Sequence, residues 1–271
     1  MNEHYIELNG KLDQEIRAMK EKFNKPQKPT KTYAERQQRA SELMDEAKKA
    51  IETGDLDLVK KHHKAGRYNR GTYITEFEYF GIAAKNGHVS IVDFYIHDAA
   101  TGKRIQEMMM SAAAGGQLKV IDYLIEQGAD KQHICNALYQ ASWNNQPKTV
   151  EHLLFKGAIA GYRNDESLLI AASDGSTEVV KILLQHGADI HANDDRALKL
   201  AVSRKHDDLT KIILIDLKMP IKDETKQWLS KNNGQYALEL LAKRTLLEKL
   251  HVNLSTPSTG TLTAPTKKMK L

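Results

Sequence analysis

Residues 165–191 read D-E-S-L-L-I-A-A-S-D-G-S-T-E-V-V-K-I-L-L-Q-H-G-A-D-I-H, and two apolar stripes within them decide the fold. Leu168, Leu169, Ala171 and Ala172 recur at helical spacing before Gly175, and Val179, Val180, Ile182, Leu183 and Leu184 recur after it. This predicts two short amphipathic helices that meet at a glycine turn. A hairpin of that size leaves one apolar side uncovered and needs a copy of itself stacked there.

Copies are present. Gly187 follows Gly175 by 12 residues, and the same offset links Gly54 to Gly66, Gly116 to Gly128 and Asn145 to Gly157. Around these anchors the text recurs as A-A-K-N-G-H-V-S-I-V-D-F from Ala83, A-A-A-G-G-Q-L-K-V-I-D-Y-L from Ala112 and A-S-W-N-N-Q-P-K-T-V-E-H-L-L from Ala141. This text resembles the ankyrin repeat, whose pattern A-A-x-x-G-H-L-E-V-V-K-L-L-L-x-x-G-A-D is matched most fully by residues 171–189. The resemblance implies an all-α fold, an ankyrin-type solenoid of stacked helix-turn-helix repeats.

Two departures from the family shape the expectation. The anchors at 54 and 87 lie 33 residues apart, but those at 87, 116, 145, 175 and 205 are separated by 29, 29, 30 and 30, against about 33 in the family. Because the 12-residue offset is kept, the shortening falls on the connections between hairpins, where ankyrin repeats project a β-turn finger. The family's T-P-L-H signature is also absent, its histidine position being held by Gly81, Met110, Tyr139, Leu169 and Lys199. A divergent array with short connecting turns is expected, with its working surface on the inner helices.

Outward from the repeats the chain divides as follows. Residues 1–31 hold a helix with Leu12, Ile16, Met19 and Phe23 on one face, then the linker N-K-P-Q-K-P-T. Residues 32–66 read as an N-terminal capping repeat: Thr32 and Glu35 form a capping box, Tyr33, Ala40, Leu43, Ala47, Ala50 and Ile51 a buried face, and residues 35–39 the polar outer face a terminal repeat requires. Ankyrin repeats fill 67–217, the sixth with Lys205 and His206 in place of Gly-His. A C-terminal capping hairpin anchored on Gly234 fills 218–250. Residues 251–271, rich in Ser, Thr and Pro and ending K-K-M-K-L, read as a disordered tail.

Composition narrows the function. Cys135 is the one cysteine, which excludes an intramolecular disulfide and fits a reducing cytosol. No stretch approaches the roughly 18 apolar residues of a membrane span, and the N-terminus lacks a signal-peptide core. The expectation is a cytoplasmic protein without a membrane partner. A formal net charge of +5 from 40 basic and 35 acidic residues is a modest excess concentrated toward the termini, so nucleic acid is not the expected partner.

No phosphate loop, G-x-S-x-G or H-E-x-x-H motif is present. Catalytic residues, metal ligands, cofactors and a small-molecule substrate are therefore not expected. His133 and Cys135, two apart at a helix start, point about 200° apart on a helix and read as an ordinary helix start. His62 and His63 occupy family leucine positions, and His88, His186 and His206 read as histidines that hydrogen-bond the backbone at turns.

What remains is a surface. The resemblance implies that the two positions before each anchor face the concave groove. Here they are Glu52 and Thr53, Lys85 and Asn86, Ala114 and Gly115, Trp143 and Asn144, Ser173 and Asp174, Ser203 and Arg204. Tyr139 precedes Trp143 by one helical turn, so the rings can form one patch. Two placements of Trp143 are open: an exposed binding anchor, or a side chain filling space beside Ala114 and Gly115. The candidate partner-binding residues are Trp143, Tyr139, Asn144, Lys85, Asn86, Ser173, Asp174, Ser203, Arg204 and Tyr73, the last from the aromatic cluster Tyr68, Tyr73, Phe77, Tyr79 and Phe80.

The expected function is a non-catalytic protein–protein interaction module that binds a folded partner. Stand-alone divergent arrays resemble ankyrin effectors of intracellular bacteria or large viruses, which implies delivery into a host cytosol and a tail that serves export or acts as a linker. The alternatives are a nucleic-acid-associated adaptor using the basic surface and tail, and an enzyme with an unrecognised site.

Overall fold

Each hairpin turn begins with one residue in the left-handed region. In the computed structural model, which describes residues 33–68, 76–98 and 102–255, the positions are Gly54, Gly87, Gly116, Asn145, Gly175, Lys205 and Asn233, with φ between 49° and 85°. The next residue donates its N–H to the carbonyl five positions back, as in Gln117 to Ala112 at 2.9 Å and His206 to Ala201 at 2.8 Å. This is the Schellman closure of a helix C-terminus. It satisfies carbonyls that would otherwise be stranded and turns the chain into the next helix.

The chain divides into two compact units, Met1–Ile74 and Thr75–Leu271. In the first, α1 (Tyr33–Thr53) and α2 (Leu56–Tyr68) form a hairpin. Ala47, Ala50, Ile51 and Val59 supply its buried contact, and the Asp55 carboxylate caps α2 by accepting the Leu58 N–H at 3.0 Å.

The second unit alternates inner and outer helices. The inner ones are α3 (Glu76–Asn86), α5 (Gly102–Ala114), α7 (Lys131–Trp143), α9 (Tyr162–Ser173), α11 (Ala192–Ser203) and α13 (Asp223–Lys231). The outer ones are α4 (Val89–Asp98), α6 (Leu118–Glu126), α8 (Pro147–Phe155), α10 (Thr177–Gln185), α12 (Asp207–Lys211) and α14 (Gln235–Ser255). Fully buried alanines line the inner helices, among them Ala83, Ala84, Ala112, Ala113, Ala171 and Ala172, and their small side chains let successive inner helices pack closely. The bulkier Ile91, Val92, Val120, Ile121, Val150, Val179, Val180 and Leu183 fill the layer beneath the outer helices.

Polar ties repeat at intervals of 30 residues. Tyr123 donates to Asp93, His152 Nε2 meets Asp122 at 2.9 Å, and Asn136 donates to Gln106 at 3.0 Å. Burial, followed by the bond to Asp93, pushes the Tyr123 phenol up to about 12. A second ladder joins the connections. Cys135 Sγ accepts the Ile159 N–H at 3.4 Å, Asp165 Oδ1 accepts the Asp189 N–H at 2.9 Å, and Asp195 takes Thr225 Oγ1 and His191 Nδ1, each at 2.5 Å.

The expected short connections take a particular form, and two readings need correction. The first turns of α9 and α11 each hold three consecutive left-handed residues, Arg163–Asn164–Asp165 and Asn193–Asp194–Asp195. Asn and Asp adopt that region at lower cost than other side chains. The last anchor is Asn233, with φ 56°, and Gly234 is the buried residue after it, which donates to Leu229. The sixth repeat carries one extra residue, taken up as a π turn over Ile212–Asp216, so that Lys218, 13 residues after Lys205, takes the second left-handed position. In addition, α14 continues to Ser255, beyond position 250. The helix and linker at 1–31, Thr32, Tyr73 and residues 256–271 lie outside the described residues.

Gly175 and Gly187 separate the two demands on an anchor. A Cβ at Gly175 would stand 2.6 Å from His206 Nδ1, whereas one at Gly187 would meet nothing within 4 Å. Gly187→Ala is expected to cost about 1 kcal/mol of backbone strain and Gly175→Ala at least about 2, as steric displacement adds, measured by urea denaturation. Asp165 yields a test in pH. Burial, with the charge of Asp189 adding, raises its pKa despite the Asp189 N–H, so the folded chain holds that proton more tightly than the unfolded one. Its contribution is then most favourable at low pH and is lost as pH rises through the folded pKa. Asp165→Asn keeps the acceptor and removes the charge. It is expected to raise Tm at pH 7 and to have little effect near pH 3, followed by circular dichroism.

Candidate functional site

The Schellman turns place the same two positions of every inner helix at one edge of the stack. At that edge of the third inner helix stands Trp143, 51% exposed, its ring meeting Tyr139 edge-on at 5.9 Å between centroids. An indole projecting to water in this way is not filling space beside Ala114 and Gly115. Gly115 instead lies against the Lys85 carbonyl, where a Cβ would come within 2.2 Å. Tyr139 and its equivalents in the neighbouring repeats, Met110 and Leu169, are half-buried, so an apolar strip lies beside the indole.

Polar groups surround the strip. Lys85, Asn86, Ser203 and Arg204 are exposed, as is Asn144, whose Nδ2 donates to the Gln140 carbonyl at 2.9 Å. Arg204 pairs with Asp174 at 3.6 Å, a surface pair that orients two side chains more than it stabilises the fold. Ser173 departs from the expectation for an accessible contact. It is only 6% exposed, and its carbonyl accepts His206 Nε2 at 2.8 Å, so the next repeat covers it.

The family model described as "Ankyrin repeats (3 copies)" matches residues 80–165 and again residues 138–223. The chain belongs to the ankyrin-repeat family. No curated protein matches it. Ankyrin repeats generally mediate protein–protein interaction, and proteins of this kind are typically non-catalytic interaction modules.

Within the ankyrin frame, His133, His186 and Cys135 have structural employment. His133 Nδ1 accepts the Asp130 N–H at 3.0 Å while the His133 backbone N–H donates to the Asp130 carboxylate at 2.9 Å, a reciprocal cap on α7. The His133 backbone N–H is the chief cause that holds the Asp130 carboxyl below its ordinary range. His186 Nδ1 reaches the Ile182 carbonyl at 2.9 Å, closing a turn as expected, and the Cys135 thiol is buried against the next connection.

Two features escaped the sequence reading. Lys199, which holds the family's T-P-L-H histidine position, places Nζ 5.9 Å from the Trp228 ring on the last inner helix, a cation–π contact. Phe155 and Ile159, 84% and 45% exposed, flank the second glycine of the Trp143 repeat. A half-exposed Trp143 is expected to dominate acrylamide quenching of the chain's two tryptophans. Trp143→Phe should leave the weaker quenching of the Lys199-covered Trp228, with unchanged helicity.

Proposed function

We propose that this ankyrin protein captures a folded partner protein on its inner-helix edge, with Trp143 and Tyr139 as the anchor. The observation that carries the reading is the exposed indole braced edge-on by Tyr139. An indole left in water contributes little to folding at that position and gains most when a partner desolvates it. Half-buried Met110 and Leu169 extend the apolar strip, and Lys85, Asn86, Asn144, Asp174, Ser203 and Arg204 form a polar rim. A complementary partner surface presents an apolar side chain ringed by hydrogen-bonding groups.

The reading needs no cofactor, metal or small-molecule substrate. It places the chain in a reducing cytosol, its own or that of a host cell receiving it as an ankyrin effector or inhibitor, in keeping with a chain that carries one cysteine and so no intramolecular disulfide. Deleting residues 255–271 and assaying translocation tests the export role of the tail, which unchanged delivery would remove.

Affinity purification with wild type and Trp143→Ala, followed by titration of the recovered partner, tests the anchor. Trp143→Ala is expected to weaken binding by about 2 kcal/mol or more while leaving Tm nearly unchanged. A large fall in Tm at unaltered affinity would refute the anchor. Steep loss of affinity with salt, independent of Trp143, would favour nucleic acid instead, because phosphate contacts release counterions.

A further inference from the structure

We infer that the last repeat, α13 and α14, is a releasable cap, held by a guanidinium latch at Arg244 that opens while the inner repeats stay folded. The latch meets an irregular helix end in the sixth repeat. In earlier repeats the residue after the second left-handed position donates its N–H five residues back: Ala129 to Leu124 at 3.0 Å, Ala158 to Leu153 at 2.9 Å and Ala188 to Leu183 at 3.0 Å. In the sixth, the extra residue widens the helix end into the π turn over Ile212–Asp216. Met219, which follows Lys218, reaches six residues back, to Ile213 at 3.4 Å. Carbonyls at such an end need donors from elsewhere.

Arg244 supplies them. Its Nη1 donates to the Leu214 and Met219 carbonyls at 3.2 and 2.9 Å, and its Nε donates to Glu248 Oε1 at 2.9 Å. Outer helices α6, α8 and α10 have nine residues each. A nine-residue helix from Gln235 would stop at Lys243, one residue short of the latch. The extension of α14 to Ser255 therefore carries both the guanidinium and the carboxylate that orients it.

The seam that the latch closes lacks two devices present in the seams before it. Five residues after the anchor, Val92, Ile121, Val150 and Val180 are fully buried, but the sixth repeat has Thr210 there, 1% exposed. Its Oγ1 has no hydrogen-bond partner among the described residues, and a buried hydroxyl left so is destabilising. Two residues after the second left-handed position, the Ile159 and Asp189 N–H groups bond Cys135 and Asp165, 24 residues earlier. The sixth repeat has Pro220 at that place, which has no N–H to give. Asp195 accepts the Thr225 hydroxyl instead, at 2.5 Å. Lys199 on Trp228 and the burial of Leu229 and Ala237 complete the seam.

Stability in a repeat array is a sum of repeat and nearest-neighbour terms, so an end repeat with a weakened seam detaches without disturbing the others. Arg244 sets how often this happens, because its loss removes a charge-assisted set of bonds at once. The sixth repeat, which carries Ser203 and Arg204, then becomes the end of the array.

Native-state hydrogen exchange of the full chain in low urea, read by mass spectrometry, tests the inference. In wild type, amides of residues 225–244 are expected to exchange through an opening in which α5 to α10 remain protected. Arg244→Met keeps an unbranched stem and removes the donors. It should raise exchange in 225–244 at least about tenfold and leave α5 to α10 unchanged. Arg244→Lys should fall between the two, since one ammonium lacks the fork. Thr210→Val should slow exchange in 225–244 about threefold by removing the orphaned hydroxyl. Exchange of 225–244 only with global unfolding, or an Arg244→Met effect that is absent or equal in every helix, would overturn the inference.

Discussion

The left-handed residue that begins each hairpin turn is the constraint on which the rest of this molecule depends. It ends the inner helix and directs the following N–H back to a carbonyl five residues earlier. The outer helix is thereby held antiparallel to the inner one. Where glycine is absent, Asn145, Lys205 and Asn233 hold the same conformation. The geometry is therefore imposed by stacking as well as by local preference. Gly175 shows the coupling: its hydrogen faces the His206 ring of the following repeat, so a residue that shapes one hairpin also admits the next.

Stacking is reinforced by polar groups that only a regular register could align. The Asp93–Tyr123 and Asp122–His152 bonds tie outer helices, and Cys135, Asp165 and Asp195 each bond a residue in, or just after, the following connection. The second ladder has an energetic cost at Asp165, whose buried carboxylate is disfavoured as a charge, and its return is that the Asp189 N–H of the shortened connection finds an acceptor. Buried polar groups behave in this way generally: satisfied, they specify one arrangement, and unsatisfied, they weaken it.

A frame this repetitive leaves specificity to the positions the frame does not use. Inner-helix alanines and anchor glycines recur because their roles recur, whereas the residues just before each anchor vary from Lys85 and Asn86 to Trp143 and Asn144 and to Ser203 and Arg204. Ankyrin membership specifies a manner of binding and not a partner. The recognition proposed for this chain lies in one aromatic pair with its polar rim.

The helix pairs, their anchors and the family were legible in the sequence because apolar periodicity and left-handed turn residues are local signals that repetition multiplies. Side-chain fates that depend on the neighbouring repeat were not. From the string alone Trp143 could point outward or pack sideways, Ser173 looked as accessible as Ser203, and Gly234 looked like an anchor. The folded chain decided all three: the Trp143 indole stands half in water, His206 covers Ser173, and Asn233 takes the left-handed position while Gly234 lies packed against Leu229. The sequence by itself determined how each hairpin is built, because the necessary hydrogen bonds close within a few residues. The tertiary structure alone decided which side chains remain for a partner, because accessibility at each position is set by a residue roughly one repeat away.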